Sequence, residues 1–183
     1  ATAVVVIVAG AAWVARRNTR PLDMSRVLVV PFELKNAVPA ASSLPAMFES
    51  SIVQGLQRTG LGTISDSRTA IAEVAFKDTA AAALANATTA RRLAREAGAG
   101  LLVTGSILVL GDSVRVEGKL LSTETGLEAI AVPSESGPLA GASALSEAAT
   151  QRLMGALAMF RDPAWGSALP GTRAPTYAAY RVY

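Results

Sequence analysis

The chain of 183 residues is long enough for one domain with flanking segments, and its 51% hydrophobic and 17% charged content favours a globular protein. It has no cysteine, which excludes disulfides and thiolate chemistry, and no histidine, which removes the commonest general base and metal ligand. The net charge of +3 is too small to indicate a nucleic-acid-binding surface, so no nucleic-acid partner is expected.

Residues 1–17 are predicted to form a transmembrane segment. Residues 1–15 are uncharged and rich in Val, Ile and Ala, and Trp13 suits a membrane interface. A helix over these residues would be roughly 22 Å long, short of the roughly 30 Å hydrocarbon core, so we expect a truncated span in a chain that begins with alanine. A signal-peptide hydrophobic region and a buried core helix are the alternatives. Arg16, Arg17 and Arg20 follow it and are candidate contacts to anionic lipid headgroups.

The next elements alternate between strand and helix. Residues 18–25 form a short linker, and the apolar run Val27–Val30 predicts a strand that ends at Pro31, which cannot donate to a ladder. Residues 33–43 are predicted to be a loop. Leu44–Thr59 has apolar residues at helical spacing, Ser42 or Ser43 as a cap and Gly60 as its end. Leu61–Ser65 is predicted to be a second strand.

The middle of the chain is harder to assign. Residues 66–86 predict a short helix around Ile71–Phe76 and an alanine-rich helical stretch, with a low-complexity linker as the alternative. Thr88–Ala97 is a clearer helix that should end at Gly98. Its arginines are expected in solvent, with Arg92 paired to Glu96 four residues later.

A three-stranded β-meander is predicted next. Leu101–Leu110 is an apolar, β-branched run typical of a strand covered on both faces. Gly111 and Asp112 form a two-residue hairpin turn, and Ser113–Ser122 then alternates strictly, with Val114 and Val116 on the buried phase and Arg115 on the exposed one. The turn formed by Thr123, Glu124, Thr125 and Gly126 leads to a third strand, Leu127–Val132.

The carboxyl-terminal part begins with a Ser/Gly/Pro-rich loop over residues 133–141. Ser143–Phe160 is predicted to be an amphipathic helix with Leu145, Ala149, Leu153, Leu157 and Phe160 facing the core. After Asp162 the composition changes to Pro, Gly, Ser and Ala. The three tyrosines of residues 176–183 lie three apart and predict a helix capped by Thr176, with a disordered tail as the alternative.

Several short motifs occur together in order: Ala94–Gly98, Leu102–Ser106, Gly111–Val116 and Thr123–Gly126. In this order they resemble the TolB amino-terminal-like (FlgO-like) domain of membrane-anchored bacterial signalling proteins, over residues 26–160. Glu128-Ala129-Ile130 stands where that family usually has an aromatic residue. The resemblance implies an α/β (α+β) fold, with a mixed sheet, a carboxyl-terminal meander and flanking helices. It also implies that residues 163–183 contain a linker and the start of a tetratricopeptide helix.

The predicted domains are a span over 1–17, a linker over 18–25, the α/β domain over 26–162 and the carboxyl-terminal segment over 163–183. The resemblance implies a single-pass membrane protein of the bacterial cell envelope. Positive residues after the span favour a cytoplasmic domain, whereas the family usually has this domain outside, so the side stays open.

No catalytic constellation is present, because without histidine a Ser–Lys arrangement would be needed and no lysine has that spacing. No catalytic, cofactor or metal residue is predicted, since the acidic residues read as turn or cap residues. We expect a non-catalytic sensor or scaffold that binds a protein or small ligand and couples it to neighbouring domains. The alternative is the non-kinase half of a receptor-type Ser/Thr kinase. The candidate partner-binding residues are Gly111, Asp112, Thr123, Glu124, Thr125 and Gly126.

Overall fold

The computed structural model describes residues 21–65, 87–165 and 172–182. Within them a mixed β-sheet is flanked by helices, which confirms the predicted fold class. Its strands are β1 Asp23–Val29, β2 Glu33–Lys35, β3 Thr63–Ile64, β4 Ala99–Leu110, β5 Ser113–Ser122, β6 Glu128–Ile130 and β7 Glu135–Pro138. Its helices are α1 Leu44–Thr59, α2 Ala87–Glu96, α3 Ala142–Arg161 and the single turn α4 Tyr177–Tyr180.

The sheet is built around the long strand β4. The strand order is β3-β1-β4-β5-β6, with β2 pairing β4 beyond the end of β1 and β7 pairing β5 beyond the end of β6. β1, β2 and β3 are parallel to their neighbours, whereas β4 to β7 form antiparallel pairs. Parallel strands need crossover connections, and α1 supplies the first of these, between β2 and β3.

The two faces of the sheet are covered to different extents. On one face, named the closed face, α1 and α3 pack on Val27, Val103, Ile107, Val116 and Leu120 in the main core. On the other, named the half-covered face, α2 packs its buried Ala90, Leu93 and Ala94 on the first half of β4. On this half-covered face, no helix among the described residues lies over the second half of β4. The strict alternation predicted for β5 is confirmed, with Val114 and Val116 buried and Arg115 exposed.

Glycines end the first two helices as predicted. Gly60 and Gly98 have φ values of 64° and 67°, the left-handed conformation that glycine adopts without strain. The helix caps are less regular than expected. Ser43 is the residue before α1 but makes no side-chain cap hydrogen bond, and the Ser42 hydroxyl instead donates to the Pro39 carbonyl at 2.9 Å.

Two short strands lie where loops were predicted. β2 occupies the start of the expected loop over residues 33–43, and β7 lies within the expected loop over residues 133–141. Both predictions were wrong for the same reason. β1 pairs only with the first half of β4, and β6 pairs only with the end of β5, so the remainder of each long strand is free to pair with a later segment.

The segment over residues 172–182 packs on the domain, so the disordered-tail alternative is wrong for it. The Ala174 N–H donates to the Ala131 carbonyl at 3.0 Å, and Ala174 is buried. The Pro175 carbonyl lies so close to Gly155 of α3 that no side chain would fit there. The Thr176 hydroxyl caps α4 as predicted, by accepting from the Ala179 N–H at 3.2 Å.

The predicted span over residues 1–17, with Arg16, Arg17 and Arg20, lies outside the described residues, as do the helices predicted over residues 66–86 and Tyr183. Within the described ranges, no helix combines the length and the apolar character needed to cross a bilayer.

Candidate partner-binding surface

The structure separates the two predicted turns. Gly111 and Asp112 precede β5, and Thr123–Gly126 follow it, so the turns lie at opposite ends of this ten-residue strand. At about 3.3 Å per residue they are roughly 33 Å apart. They therefore cannot form one small-ligand site.

The first turn is a tight and exposed hairpin turn. Leu110 and Ser113 are the last residues paired across β4 and β5, so Gly111 and Asp112 form the two-residue loop that was predicted. Gly111 has a φ of 59° and Asp112 does not have a positive φ, which is the pattern of a type II′ turn. The Asp112 carbonyl accepts from the Leu139 N–H at 2.7 Å, so the turn is fixed to the end of β7.

Beside this turn lies the uncovered half of the half-covered face, which sequence reasoning did not single out. Leu108 is half-buried there, and Leu110 is 57% exposed. Charged side chains flank Leu108: Lys35 and Arg115 lie opposite it on the neighbouring strands, and Glu117 pairs with Arg115 at 3.1 Å. We name this area, residues 106–117 of the β4–β5 hairpin with β2, the hairpin surface. An apolar centre with a charged rim is the usual composition of a protein-binding patch.

The second turn is held down by two arginines of α2. The Arg91 Nε donates to the Thr123 carbonyl at 2.8 Å, and a second Arg91 nitrogen donates to the Glu124 carbonyl. Arg95 also donates to the Glu124 carbonyl, at 3.0 Å. The expectation that these arginines only face solvent is therefore wrong, although Arg92 does pair with Glu96, at 3.9 Å. Nothing in the sequence signals these contacts, because they join residues about thirty positions apart.

This clamping leaves the second turn only partly accessible. Thr123 is fully buried, and its hydroxyl has no hydrogen-bond partner in the described part of the chain. Glu124 and Thr125 are exposed. Gly126 has a φ of 77°, and the Arg91 side chain lies directly beside it. A pocket of about 200 Å³ lies between this turn and α2, and both apolar and polar side chains line it.

The sheet edges are poorly suited to accept a partner strand. β2 is three residues long with two charged side chains, and β7 ends in Pro138. The edge next to β6 is already bonded to residue 174. Short, charged, proline-containing and covered edges are the devices by which proteins prevent strand addition.

The titratable groups with shifted pKa values lie away from the hairpin surface. Hydrogen bonds from Ser25 lower the pKa of Asp23, and burial lowers the pKa of Arg161. The hydrogen bond to Asp162 raises the pKa of Tyr180. Across the described ranges, no group of three or more acidic residues is placed to hold a metal ion.

No model of a protein family matches this sequence, and no curated protein matches it either. Several solved structures are similar in shape. The LpoB carboxyl-terminal domain from Salmonella enterica has 17% identity and a TM-score of 0.45, over 65% of this chain and 84% of that one. The lipoprotein GNA1162 from Neisseria meningitidis has 20% identity and a TM-score of 0.46, over 62% and 80%. TolB from Acinetobacter baumannii has 19% identity and a TM-score of 0.44, over 76% of this chain but 29% of its own length.

Proposed function

We propose that this chain is a non-catalytic, membrane-attached domain of the bacterial cell envelope that binds a protein partner through its hairpin surface. In this role it acts as a sensor or scaffold and couples partner binding to neighbouring domains. A single membrane pass through residues 1–17, with Arg16, Arg17 and Arg20 at the lipid headgroups, provides the attachment.

The observation that carries the proposal is the hairpin surface itself. Leu108 and Leu110 lie on β4, which is paired with β5 along its second half, and the adjoining turn is fixed by the bond between Asp112 and Leu139. A rigid surface loses little conformational entropy when a partner binds, and exposed leucines within a charged rim supply apolar area to bury. The second predicted turn is also held in place, and Leu127 beside it is 70% exposed, but Arg91 and Arg95 already occupy its Thr123 and Glu124 carbonyl groups.

Site-specific cross-linking in the native membrane tests the proposal. Because these 183 residues contain no cysteine, each introduced cysteine labels a single known position. Single cysteines are placed at Asp112, at Glu124 and at Gln54, an exposed control position on α1. Each is coupled to a photoactivatable benzophenone. We expect a discrete cross-linked protein from Asp112→Cys and none from Gln54→Cys.

The further variant Leu108→Ser/Leu110→Ser, in the Asp112→Cys protein, should abolish this adduct while leaving the melting temperature nearly unchanged. A cross-link that appears only from Glu124→Cys would contradict the choice of the hairpin surface, and a cross-link from neither turn would contradict the protein-binding role. A membrane-impermeant maleimide applied to the same variants reports which side of the membrane the domain occupies.

A further inference from the structure

The start of β1 and the ends of three helices lie together at one end of the domain. The Asp23 N–H donates to the carbonyl of Gly98, which follows α2, at 3.0 Å. Arg161, the last residue of α3, donates to the carbonyls of Met24 and Ser25 at 3.1 and 2.9 Å. Its guanidinium also lies against Gly62, three residues after the end of α1. We name this the basal end, comprising residues 23–26, 58–62, 95–98 and 161–165.

The basal end is rich in arginine. Each of the three long helices has an arginine in its last turn, namely Arg58, Arg95 and Arg161. Arg26 adds a fourth. The side chains of Arg26 and Arg58 are 52% and 65% exposed, and they form surface ion pairs with Asp23 at 3.5 Å and with Glu147 at 3.8 Å. The acidic residues there are Asp23, Glu96 and Asp162. Asp23 is also hydrogen-bonded to Ser25, Glu96 pairs with Arg92, and Asp162 accepts from Tyr180. A cation at a helix carboxyl terminus also offsets the helix dipole, so these arginines suit the fold as well as a ligand.

Two exposed apolar side chains accompany the arginines. Met24 is 42% exposed and Trp165 is 38% exposed. Tryptophan and arginine together are characteristic of side chains at the membrane–water interface, where an aromatic ring lies at headgroup level and a guanidinium binds phosphate. The hairpin end of the domain has no aromatic side chain in β4, β5 or β7.

The chain length before β1 restricts where this end can lie. Leu22 comes five positions after Arg17, the last residue of the predicted span, so the two are at most about 18 Å apart. Leu22 directly precedes the basal end, whereas the far end of the twelve-residue β4 is roughly 36 Å away. The linker also carries Arg20, which adds to the positive charge next to the bilayer.

We infer that the basal end docks on the anionic lipid surface of the membrane that holds residues 1–17, through Met24, Arg26, Arg58 and Trp165. This inference rests on the membrane attachment in the proposed function. It orients the domain with its hairpin surface pointing away from the bilayer, where a partner can reach it. Each exposed arginine near such a surface adds attraction that salt screens.

Fluorescence quenching in lipid vesicles tests the docking on the full chain. The chain has two tryptophans, so Trp13→Phe leaves Trp165 as a single reporter. The protein is reconstituted into vesicles of phosphatidylglycerol and phosphatidylcholine that contain a lipid with a nitroxide on its headgroup. We expect strong quenching of Trp165, reduced in pure phosphatidylcholine and reduced when salt is raised from about 0.1 to 1 M.

Position 110 provides the matched reporter. In a Trp13→Phe/Trp165→Phe protein, Leu110→Trp places a tryptophan at the hairpin end and should be quenched little. Arg26→Gln/Arg58→Gln should lower the ratio of docked to undocked domain by roughly 5- to 30-fold. Lys35→Gln/Arg115→Gln removes the same charge from the hairpin surface and should leave that ratio unchanged.

Equal quenching at positions 165 and 110 would overturn the docking, and so would quenching of Trp165 that is insensitive to both arginine removal and lipid charge. Co-flotation of the protein with the vesicles is measured in parallel. Flotation without quenching of Trp165 refutes only the docking, whereas loss of flotation refutes the membrane attachment as well.

Discussion

The two faces of the sheet belong to the same strands, but helices cover them to very different extents. Among the described residues, the cluster on the closed face contains twenty-three buried side chains, and the cluster on the half-covered face contains eight. α1 and α3 lie side by side on the closed face, with the Ser146 and Ser51 hydroxyls 2.8 Å apart and no room for a side chain at Gly55. On the other face, α2 packs on Ala99 and Leu102 in the first part of β4, and no other described helix joins it there.

Because of this difference, the closed face supplies the folding stability, and the uncovered half of the other face is left for partner binding. The closed face removes most of the apolar surface from water, so it contributes most of the folding free energy. The uncovered half of the other face contributes little, and its side chains can therefore be polar or apolar without affecting the fold. β5 has residues of both kinds: Val116 lies in the core on the closed face, and its neighbour Arg115 lies in solvent on the other face.

Val116→Asp is expected to have the largest effect. The new carboxylate would be buried on the closed face opposite Glu135 of β7, which carries the same charge and already pairs with Arg152 at 2.8 Å. We expect the free energy of unfolding to fall by more than about 3 kcal/mol, measured by urea denaturation. Val116→Ala removes methyl groups without adding a charge and should cost clearly less. Equal midpoints for Val116→Asp and the wild type would show that the two faces have been assigned the wrong way round.

Arg91→Gln should have an intermediate effect at the edge of the half-covered face. It removes the charged donors from the Thr123 and Glu124 carbonyls, with a loss of about 1–2 kcal/mol because these groups are partly solvated. Amide hydrogen exchange should become faster at Thr125–Leu127 and stay unchanged in β4. The matched control is Arg92→Gln, whose partner Glu96 is exposed and whose loss should cost under about 0.5 kcal/mol. Similar losses for the two variants would show that Arg91 does not fix the turn.

Arg115→Ala should have the smallest effect. Its ion pair with Glu117 is about half-exposed, and such pairs contribute roughly 0–1 kcal/mol. The unfolding midpoint in urea should therefore stay close to that of the wild type. A loss well above 1 kcal/mol would mean that the uncovered half of the face is covered in solution, which would remove the basis for the hairpin surface.

The elements defined by local patterns could be predicted from the sequence. The bounds of α1 and β5 are the predicted ones, because an apolar period and a terminal glycine or turn define each of them. Ser113–Ser122 gave the correct buried phase because its alternation is strict. The hairpin turn was also predictable, since a Gly-led pair between two apolar runs has few other conformations.

The features that depend on partners distant in sequence could not be predicted. Glu135–Pro138 has no strand signal of its own and pairs only because β5 extends beyond β6. Arg91 reads as a solvent-exposed helix residue until the turn after β5 is placed beside it. For the candidate site, the predicted strand Ser113–Ser122 already put the two turns at opposite ends, but the clamping of the second turn by Arg91 depends on where α2 packs and could not be predicted.

The docked segment over residues 172–182 has a mechanical consequence. The Tyr180 hydroxyl donates to Asp162 at 2.8 Å, and the adjacent Arg161 bonds to Met24 and Ser25, so the first and last described residues leave the domain at the same end. Tension applied between residues 22 and 182 would thus cross the start of β1 and the ends of α3 and α4 and would bypass the rest of the sheet. Under load the short α4 should detach from α3 at Gly155 first. The distance between residues 22 and 182 would then increase while the hairpin surface kept its shape.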